Sequence, residues 1–579
     1  MKEYFLLNSA YKHKAGNIPE TDFFKELKVL KNEEFGLQFL IRKDHEFYTT
    51  INDYKDISWK GLIDEYRVVI EAREEKGNNC NSYFELRIAE YAVEDHGNNI
   101  ADILSDKRSK LSETKDQLLY ISGKVPKDFK GEKIILGIKV YYSKEYLPEE
   151  VVYEEEVEIS IADISIPDMK DSLFYLDLWQ HPCNWARAYD VPYFSEVHFE
   201  IIDHYLEGMG KLGQKVCDLI ISDFSWAGQR CYQVEENHNN LFELNIVKVW
   251  KNIEGKINCD FTAFDRFISL CEKHGISQEI NLFGILGNWD RVDFGNPLED
   301  YEDPIRISYY DEKSESYKYF TLRDEVKEYL AIVFHHLEDL KLWDKTLIMS
   351  DEPNNTKLFQ EAIKLFKEAA GGLKIVLKCA IHNQEFFENN DEYIHSISLS
   401  TCELVHNLKD LERLRAEVIE KNGKLTWYSC CFPKNLNIFL ESPLIESRIK
   451  GWFTYFMNVD GFLRWSFGMW PGDVFNDASY KKEKWTAGDM FFVYPGKNGY
   501  PLESIRMKNF LYGLQDFYLL KEAENSINAD RIRSGLKEIL GKKEEMNYIN
   551  ALEVELHYSL EYEKYMNFRN SLIEKIAEK

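Results

Sequence analysis

Beyond about residue 170 the chain settles into a rhythm that few folds can satisfy. Short apolar runs alternate with amphipathic stretches of helical period, eight times over. The runs are Phe174–Trp179, Cys217–Ser222, Ile280–Leu286, Lys345–Ser350, Leu373–Lys378, Ser396–Ser400, Leu425–Cys430 and Gly461–Ser466. Between them lie helical patterns at Glu196–Lys215, Ala263–His274, Asp324–Leu342, Thr356–Ala369 and Ile445–Asn458. Eightfold strand–helix alternation predicts an α/β fold of the (β/α)8 TIM-barrel type, and a span of this length allows for insertions.

The preceding residues read differently. Arg67–Glu71, Tyr83–Tyr91, Lys133–Tyr142 and Val151–Ile161 are rich in Val, Ile and Tyr and alternate apolar with charged residues. Period-two patterning marks strands with one buried face, so an N-terminal β-sandwich is expected. The expected divisions are 1–165 for the sandwich, 166–525 for the barrel, and a Lys/Glu-rich C-terminal helical segment over 526–579 packed on the barrel wall.

Charge narrows the partners. Lys plus Arg number 72 against 100 Asp plus Glu, a formal charge of −28. Such a surface repels phosphates and anionic lipid, so neither nucleic acid nor membrane is an expected partner. No window approaches 18 uninterrupted apolar residues. The apolar stretch near the start ends after four residues, short of the about 7–15 in a secretory signal. The 10 cysteines form no Cys-x-x-Cys pair or regular framework. A cytoplasmic chain with reduced, buried thiols follows as the expectation.

In a barrel of this type, reacting groups sit at the C-terminal ends of strands. The fourth run ends in Ser350-Asp351-Glu352-Pro353. Adjacent acids straight after a buried run are unusual, because ionised carboxylates avoid both company and low dielectric. A retaining glycosidase with two working carboxyls sets them roughly 5–5.5 Å apart on opposite faces of the sugar, normally from different strands. Consecutive acids are better suited to serving different atoms on one side of a ring. One could protonate a leaving oxygen while the other holds a ring substituent. That arrangement points toward a sugar whose own 2-acetamido carbonyl attacks the anomeric carbon.

Aromatic residues, 14% of the chain, gather at the other expected strand ends. Trp179 and His181 follow the first run, Trp226 the second and Trp289 the third. Trp427 and Tyr428 belong to the seventh, and Trp465 and Trp470 to the eighth. Flat apolar faces with polar edges suit pyranose rings.

Several patterns carry no chemistry. Gly208-Met209-Gly210-Lys211-Leu212-Gly213 has dinucleotide-type spacing but follows a helix rather than a strand. His335-His336 lacks the i, i+4 spacing of a helical zinc site. Cys430-Cys431 suits buried thiols better than a metal. No nucleophile elbow or phosphate loop is present. No metal and no cofactor are expected.

Longer motifs resemble glycoside hydrolase family 123. They are Leu425-Thr426-Trp427-Tyr428-Ser429-Cys430-Cys431, Asn437-Ile438-Phe439-Leu440-Glu441-Ser442-Pro443-Leu444-Ile445-Glu446-Ser447-Arg448 and Asp460-Gly461-Phe462-Leu463-Arg464-Trp465. To these are added Gly488-Asp489-Met490-Phe491-Phe492-Val493-Tyr494-Pro495-Gly496, Ser504-Ile505-Arg506 and Gly513-Leu514-Gln515-Asp516. With Ser350-Asp351-Glu352-Pro353 they keep the family's order over about residues 170–520. The resemblance implies an exo-acting, retaining N-acetyl-β-galactosaminidase with a barrel, substrate assistance and an oligosaccharide or glycoconjugate substrate. By motif, Glu352 is the general acid/base and Asp351 accepts the acetamido N–H. Keeping Asp351 ionised and Glu352 protonated separates the two roles. Tyr428 is expected to hydrogen-bond the acetamido oxygen, with Trp465 and Trp470 shaping the sugar floor. Trp427 and Trp289 are further expected substrate contacts, and Asn437 and His181 expected hydroxyl partners. Arg448 and Arg506 read as structural, with Asp489 and Asp516 as partners.

Two other readings compete. A two-carboxylate β-glycosidase would pair Glu352 with Asp177 or Asp223 on a sugar without an acetamide. A non-catalytic carbohydrate-binding protein would need no acid pair at all.

Overall fold

The computed structural model describes residues 2–20, 26–53, 62–145, 147–229, 242–286, 305–353, 355–381, 384–390, 392–481 and 485–578. The first part of the chain forms two packed sheets. One has five strands, Tyr4–Asn8, Glu34–Arg42, Asp116–Lys124, Phe84–Val93 and Asn99–Ser105, in that spatial order. The other has six and is centred on Lys133–Ser143, flanked by Glu65–Glu74 and Glu150–Ser165. Phe39, Val68, Ile88, Leu136 and Ile159 interleave between them as a core of alternate residues, as period-two patterning requires.

The barrel strands are β1 (Tyr175–Leu178), β2 (Val216–Ile220), β3 (Glu279–Phe283) and β4 (Thr346–Asp351). They continue as β5 (Leu377–Ile381), β6 (Ile394–Ser400), β7 (Leu425–Tyr428) and β8 (Gly461–Arg464). All pair in parallel in the order β2-β3-β4-β5-β6-β7-β8-β1. At the β1–β2 seam two side-chain amides replace most of the backbone ladder. Gln214 accepts from Leu178 N (2.7 Å) and donates to Val216 O (2.8 Å). Gln180 donates to Leu178 O (2.9 Å) and Val216 O (3.1 Å) and accepts from Asp218 N (2.8 Å). The strand edges are thereby satisfied without full pairing.

All eight expected runs are strands, but the fifth lies further along than its hydrophobicity suggested, at Leu377–Ile381. The helix before it, Thr356–Ala370, ends on Gly371 in the left-handed region, and residues 373–376 are needed to reach the sheet. The helix before β6 is a single short element, Gln384–Glu388. Lys248–Lys251, Ile257–Asp260, Ser308–Asp311 and Ser316–Tyr319 form a small accessory sheet beside the barrel. The Gly208–Gly213 pattern is the end of helix Glu196–Leu212, with Gly213 as its left-handed cap at φ +88°.

The helix after β8, Ile505–Ala523, is buried along nearly its whole length. It packs against helix Ile445–Met457 so closely that a Cβ on Gly451 would lie 1.8 Å from Gly513 O. Its N-terminus carries Arg506, whose Nε donates to Asp102 Oδ2 of the sandwich at 2.9 Å. Asp102 rather than Asp489 is therefore the partner of Arg506. Arg448 pairs with Asp516 as expected, at 2.6 Å. Beyond residue 525, helices Ala529–Leu540 and Tyr562–Ala577 flank a two-stranded hairpin, Asn547–Asn550 with Glu553–Glu555, so this segment is not helical throughout. No helix among the described residues is long and apolar enough to cross a membrane.

Candidate active site

Register places the acid pair. Residues paired across parallel strands share a face of the sheet. Asp351 pairs with Ala380, Ala380 with Ser398 and Ser398 with Thr426. Tyr428 lies two residues beyond Thr426, and Lys378 two before Ala380. The Lys378 side chain crosses the lumen to Asp177 on β1 (2.6 Å), so this is the inner face. Asp351 and Tyr428 therefore face inward at the C-terminal end of the barrel.

A regular strand would turn the next residue, Glu352, outward. Instead its backbone adopts the left-handed region at φ +49°, while its N–H still donates to Ala380 O at 3.0 Å. A non-glycine residue there costs about 1–2 kcal/mol. The turn breaks the alternation, and Glu352 Oε1 accepts a 2.7 Å hydrogen bond from the inward-facing Tyr428 hydroxyl. Burial, and then the Glu352 charge, hold the Tyr428 phenol well above its ordinary pKa, with Asp351 adding to the effect. Both carboxyls thus lie within electrostatic reach of one phenol. Pro353 ends the strand, and Asn355 caps the following helix by accepting from Leu358 N at 3.1 Å.

Below this tip the lumen is polar. Lys378 donates to Asp177 (2.6 Å), Glu279 (2.8 Å) and the Tyr175 hydroxyl (3.1 Å). Burial lowers the Lys378 pKa, but Asp177 and Glu279 outweigh it and hold the ammonium above its ordinary value. Burial, reinforced by the Asp177 charge, holds Asp218 well above the usual carboxylate range. Asp223 accepts from Asn245 N (3.2 Å) and Ser308 N (2.8 Å), joining two loops. Asp177 is thus bound in the floor and Asp223 in the loops. The sequence signals for the floor network are charged residues inside apolar runs, Asp177 in β1 and Lys378 in β5.

Of the expected binding residues that are described, only Trp465 is partly exposed. Trp465 is half-buried at the tip of β8, its Nε1 donating to Asp489 Oδ1 (3.3 Å). His181 Nε2 donates to the Trp465 carbonyl at 2.7 Å, since a carbonyl can only accept. The His181 ring meets Trp226 edge-on, with centroids 4.6 Å apart. Burial lowers its pKa to about 3, so the imidazole is neutral. Trp427, Trp470 and Asn437 are buried as His181 is. Trp427 faces the helix layer between Phe453 and Phe462, with Nε1 donating to Thr454 Oγ1 (2.8 Å). Trp470 Nε1 donates to Val493 O (2.7 Å). Asn437 donates to Cys430 O and Pro433 O, both at 2.7 Å, and accepts from Arg464 Nη1 at 2.8 Å. Trp289 lies outside the described residues.

Arg464, at the end of β8, ties these parts together. It donates to Ser429 O (2.6 Å), to Asn437 and to Asp489 Oδ1 (3.0 Å). Asp489 in turn accepts from the Trp465 indole. Of possible metal ligands among the described residues, Glu94, His96 and Glu441 bring donor atoms within 4.8 Å of one another. Glu94 already accepts from His96 N and Asn98 N.

A parallel eight-stranded barrel with adjacent carboxyls and a bonded phenol at its strand tips is an arrangement that glycoside hydrolysis can use. The chain belongs to glycoside hydrolase family 123, whose catalytic-domain model matches residues 179–523. A family 123 glycoside hydrolase from Clostridium perfringens, studied for glycolipid glycan hydrolysis, superposes with a TM-score of 0.72 at 16% identity. The match covers 99% of this chain and 96% of that one. Remoter similarities are a maltogenic α-amylase from Thermotoga neapolitana (12% identity, 61% and 77% coverage, TM-score 0.29) and a β-glucuronidase from Bifidobacterium dentium (8%, 89% and 66%, 0.30). A comparison with curated proteins finds no match.

Proposed function

We propose that this glycoside hydrolase removes terminal β-linked N-acetylgalactosamine from an oligosaccharide or glycoconjugate, exo-acting and with retention, using the sugar's acetamido group as nucleophile. The observation that carries the reading is the convergence of Asp351 and Glu352 on Tyr428 from one strand tip. A second supports it: Asp177 and Asp223, the candidates for a distant nucleophile, are engaged in the floor and the loops. The described relative from Clostridium perfringens, concerned with glycolipid glycans, makes a glycoconjugate a reasonable class of substrate.

Glu352 gives its proton to the glycosidic oxygen as the C1–O bond to the aglycone breaks. The acetamido carbonyl oxygen forms the new bond to C1, while Asp351 accepts the acetamido N–H and stabilises the positive oxazolinium. Tyr428, bonded to Glu352 in the free site, would turn its hydroxyl to the acetamido oxygen. Water then attacks C1, Glu352 takes its proton, and the acetamide is released. Two inversions at C1 give net retention.

Hydrolysis of chromogenic β-GalNAc, β-GlcNAc and β-galactoside substrates by the wild type and by Glu352→Gln tests this reading. Cleavage of the acetamido sugars alone, with galacto preferred, is expected. Equal cleavage of the plain galactoside would refute acetamide participation.

A further inference from the structure

Tyr558 lies in the segment between the C-terminal hairpin and the last helix, beyond the residues matched by the family's catalytic-domain model. Its hydroxyl nonetheless reaches the loop that follows β7. It accepts from Leu436 N at 2.8 Å and donates to Glu446 Oε1 at 2.5 Å. Glu446 Oε2 accepts from Asn437 N at 3.0 Å. Phenol and carboxylate together hold two successive backbone N–H groups. The first belongs to Leu436, a branched residue in the left-handed region at φ +54°. A bulky side chain adopts that backbone only where its surroundings enforce it.

The same loop is fastened to the strand that carries Tyr428. The buried Lys450 donates to the Leu436 carbonyl and to Ser429 Oγ (2.9 Å). Arg464 donates to Ser429 O (2.6 Å) and to Asn437 Oδ1 (2.8 Å). Ser429 is the residue after Tyr428. A short run of hydrogen bonds therefore leads from Tyr558 through Leu436 and Lys450 to Ser429, which the peptide bond joins to Tyr428, the residue whose phenol is bonded to Glu352. Groups in one buried polar network couple, because each fixes the geometry of the next.

We infer that Tyr558 is a positioning residue for the reacting pair, its hydroxyl setting the 429–438 loop and through it the Tyr428–Glu352 hydrogen bond. The inference rests on the proposed roles of Tyr428 and Glu352, and extends the working site into the segment beyond residue 523. Loss of the hydroxyl leaves the ring in place but releases Leu436 N–H and one oxygen of Glu446.

Two measurements decide it. In full-length Tyr558→Phe, amides of residues 429–438 should exchange with deuterium faster while those of β4 and β6 keep their protection. Glu446→Gln, acting on the same loop from the barrel side, should release the same amides. Unchanged loop protection in both variants would overturn the inference whatever substrate the enzyme cleaves. On the β-GalNAc substrate, Tyr558→Phe should lower kcat by about 10- to 100-fold, the cost of a displaced reacting group, with little change in KM. The double variant Tyr428→Phe/Tyr558→Phe should be no slower than Tyr428→Phe alone, because the effects share one route. Multiplying losses would mean that Tyr558 acts independently of the catalytic phenol. A wild type inactive on β-GalNAc would instead refute the proposed function, and the exchange data would still decide the role of Tyr558.

Discussion

The Tyr428 hydroxyl donates a 2.7 Å hydrogen bond to Glu352 Oε1, joining the tips of β7 and β4 across two intervening strands. Burial first, and the Glu352 charge second, hold this phenol well above its ordinary pKa, so it remains a donor throughout neutral pH. Tyr428→Phe should lower kcat/KM by roughly 10²–10³, the usual consequence of losing one oriented donor. Steady-state kinetics with a β-GalNAc substrate check this.

Asp351 and Glu352 should fail in different ways. Glu352→Gln removes the proton donor, and general acid–base loss runs to about 10²–10⁴. The loss should shrink for a leaving group such as dinitrophenolate, which departs without protonation. Asp351→Asn should cost a comparable factor with every leaving group, since it acts on the acetamide. A plot of rate against leaving-group pKa for both variants separates the two roles. Parallel lines would contradict the assignment.

The Asp102–Arg506 pair, buried at 2.9 Å, is one of the links between sandwich and barrel. Asp102→Asn leaves a guanidinium without its countercharge and should destabilise the protein by about 3–5 kcal/mol. Urea unfolding at pH 7 measures this, and a shift below about 1 kcal/mol would contradict it.

Much of the fold was legible in the sequence, because alternation of apolar runs at two periods reports which faces are buried. All eight barrel strands and the principal helices fall near their expected places. Contacts between distant segments were legible only in part: Arg448 with Asp516 was expected, but nothing local ties Arg506 to Asp102, or Tyr558 to Leu436. The fifth strand begins a few residues beyond its expected start because Leu373, Ile375 and Val376, which carry the chain from helix to sheet, resemble strand. At the site, Asp351, Glu352 and Tyr428 stand out in the sequence as a post-strand acid pair and a strand-end aromatic. The indoles do not sort themselves, since strand parity decides whether Trp427 or Tyr428 faces the lumen. Glu352's left-handed turn, which brings its carboxyl to the inward-facing Tyr428, leaves no mark in composition.

Acid stability should report the buried histidines. Burial lowers His181 to about 3 and His198 to about 4, whereas in the unfolded chain each titrates near about 6.5. Between those values the unfolded chain binds more protons than the folded one. Stability should therefore fall as pH drops from about 6.5 toward 4, by on the order of 1 kcal/mol per pH unit for each histidine. Denaturant unfolding at several pH values checks the slope, and His198→Asn should flatten it.

The acetamide's role as nucleophile is tested most directly by graded fluorination of the N-acetyl group. With mono-, di- and trifluoroacetamido β-galactosaminides of one chromogenic aglycone, each fluorine withdraws electrons from the attacking carbonyl oxygen. With the acetamide as nucleophile, kcat/KM should fall steeply along this series. A rate that stays level across it would show that the carbonyl oxygen makes no bond to C1, and that the nucleophile lies elsewhere.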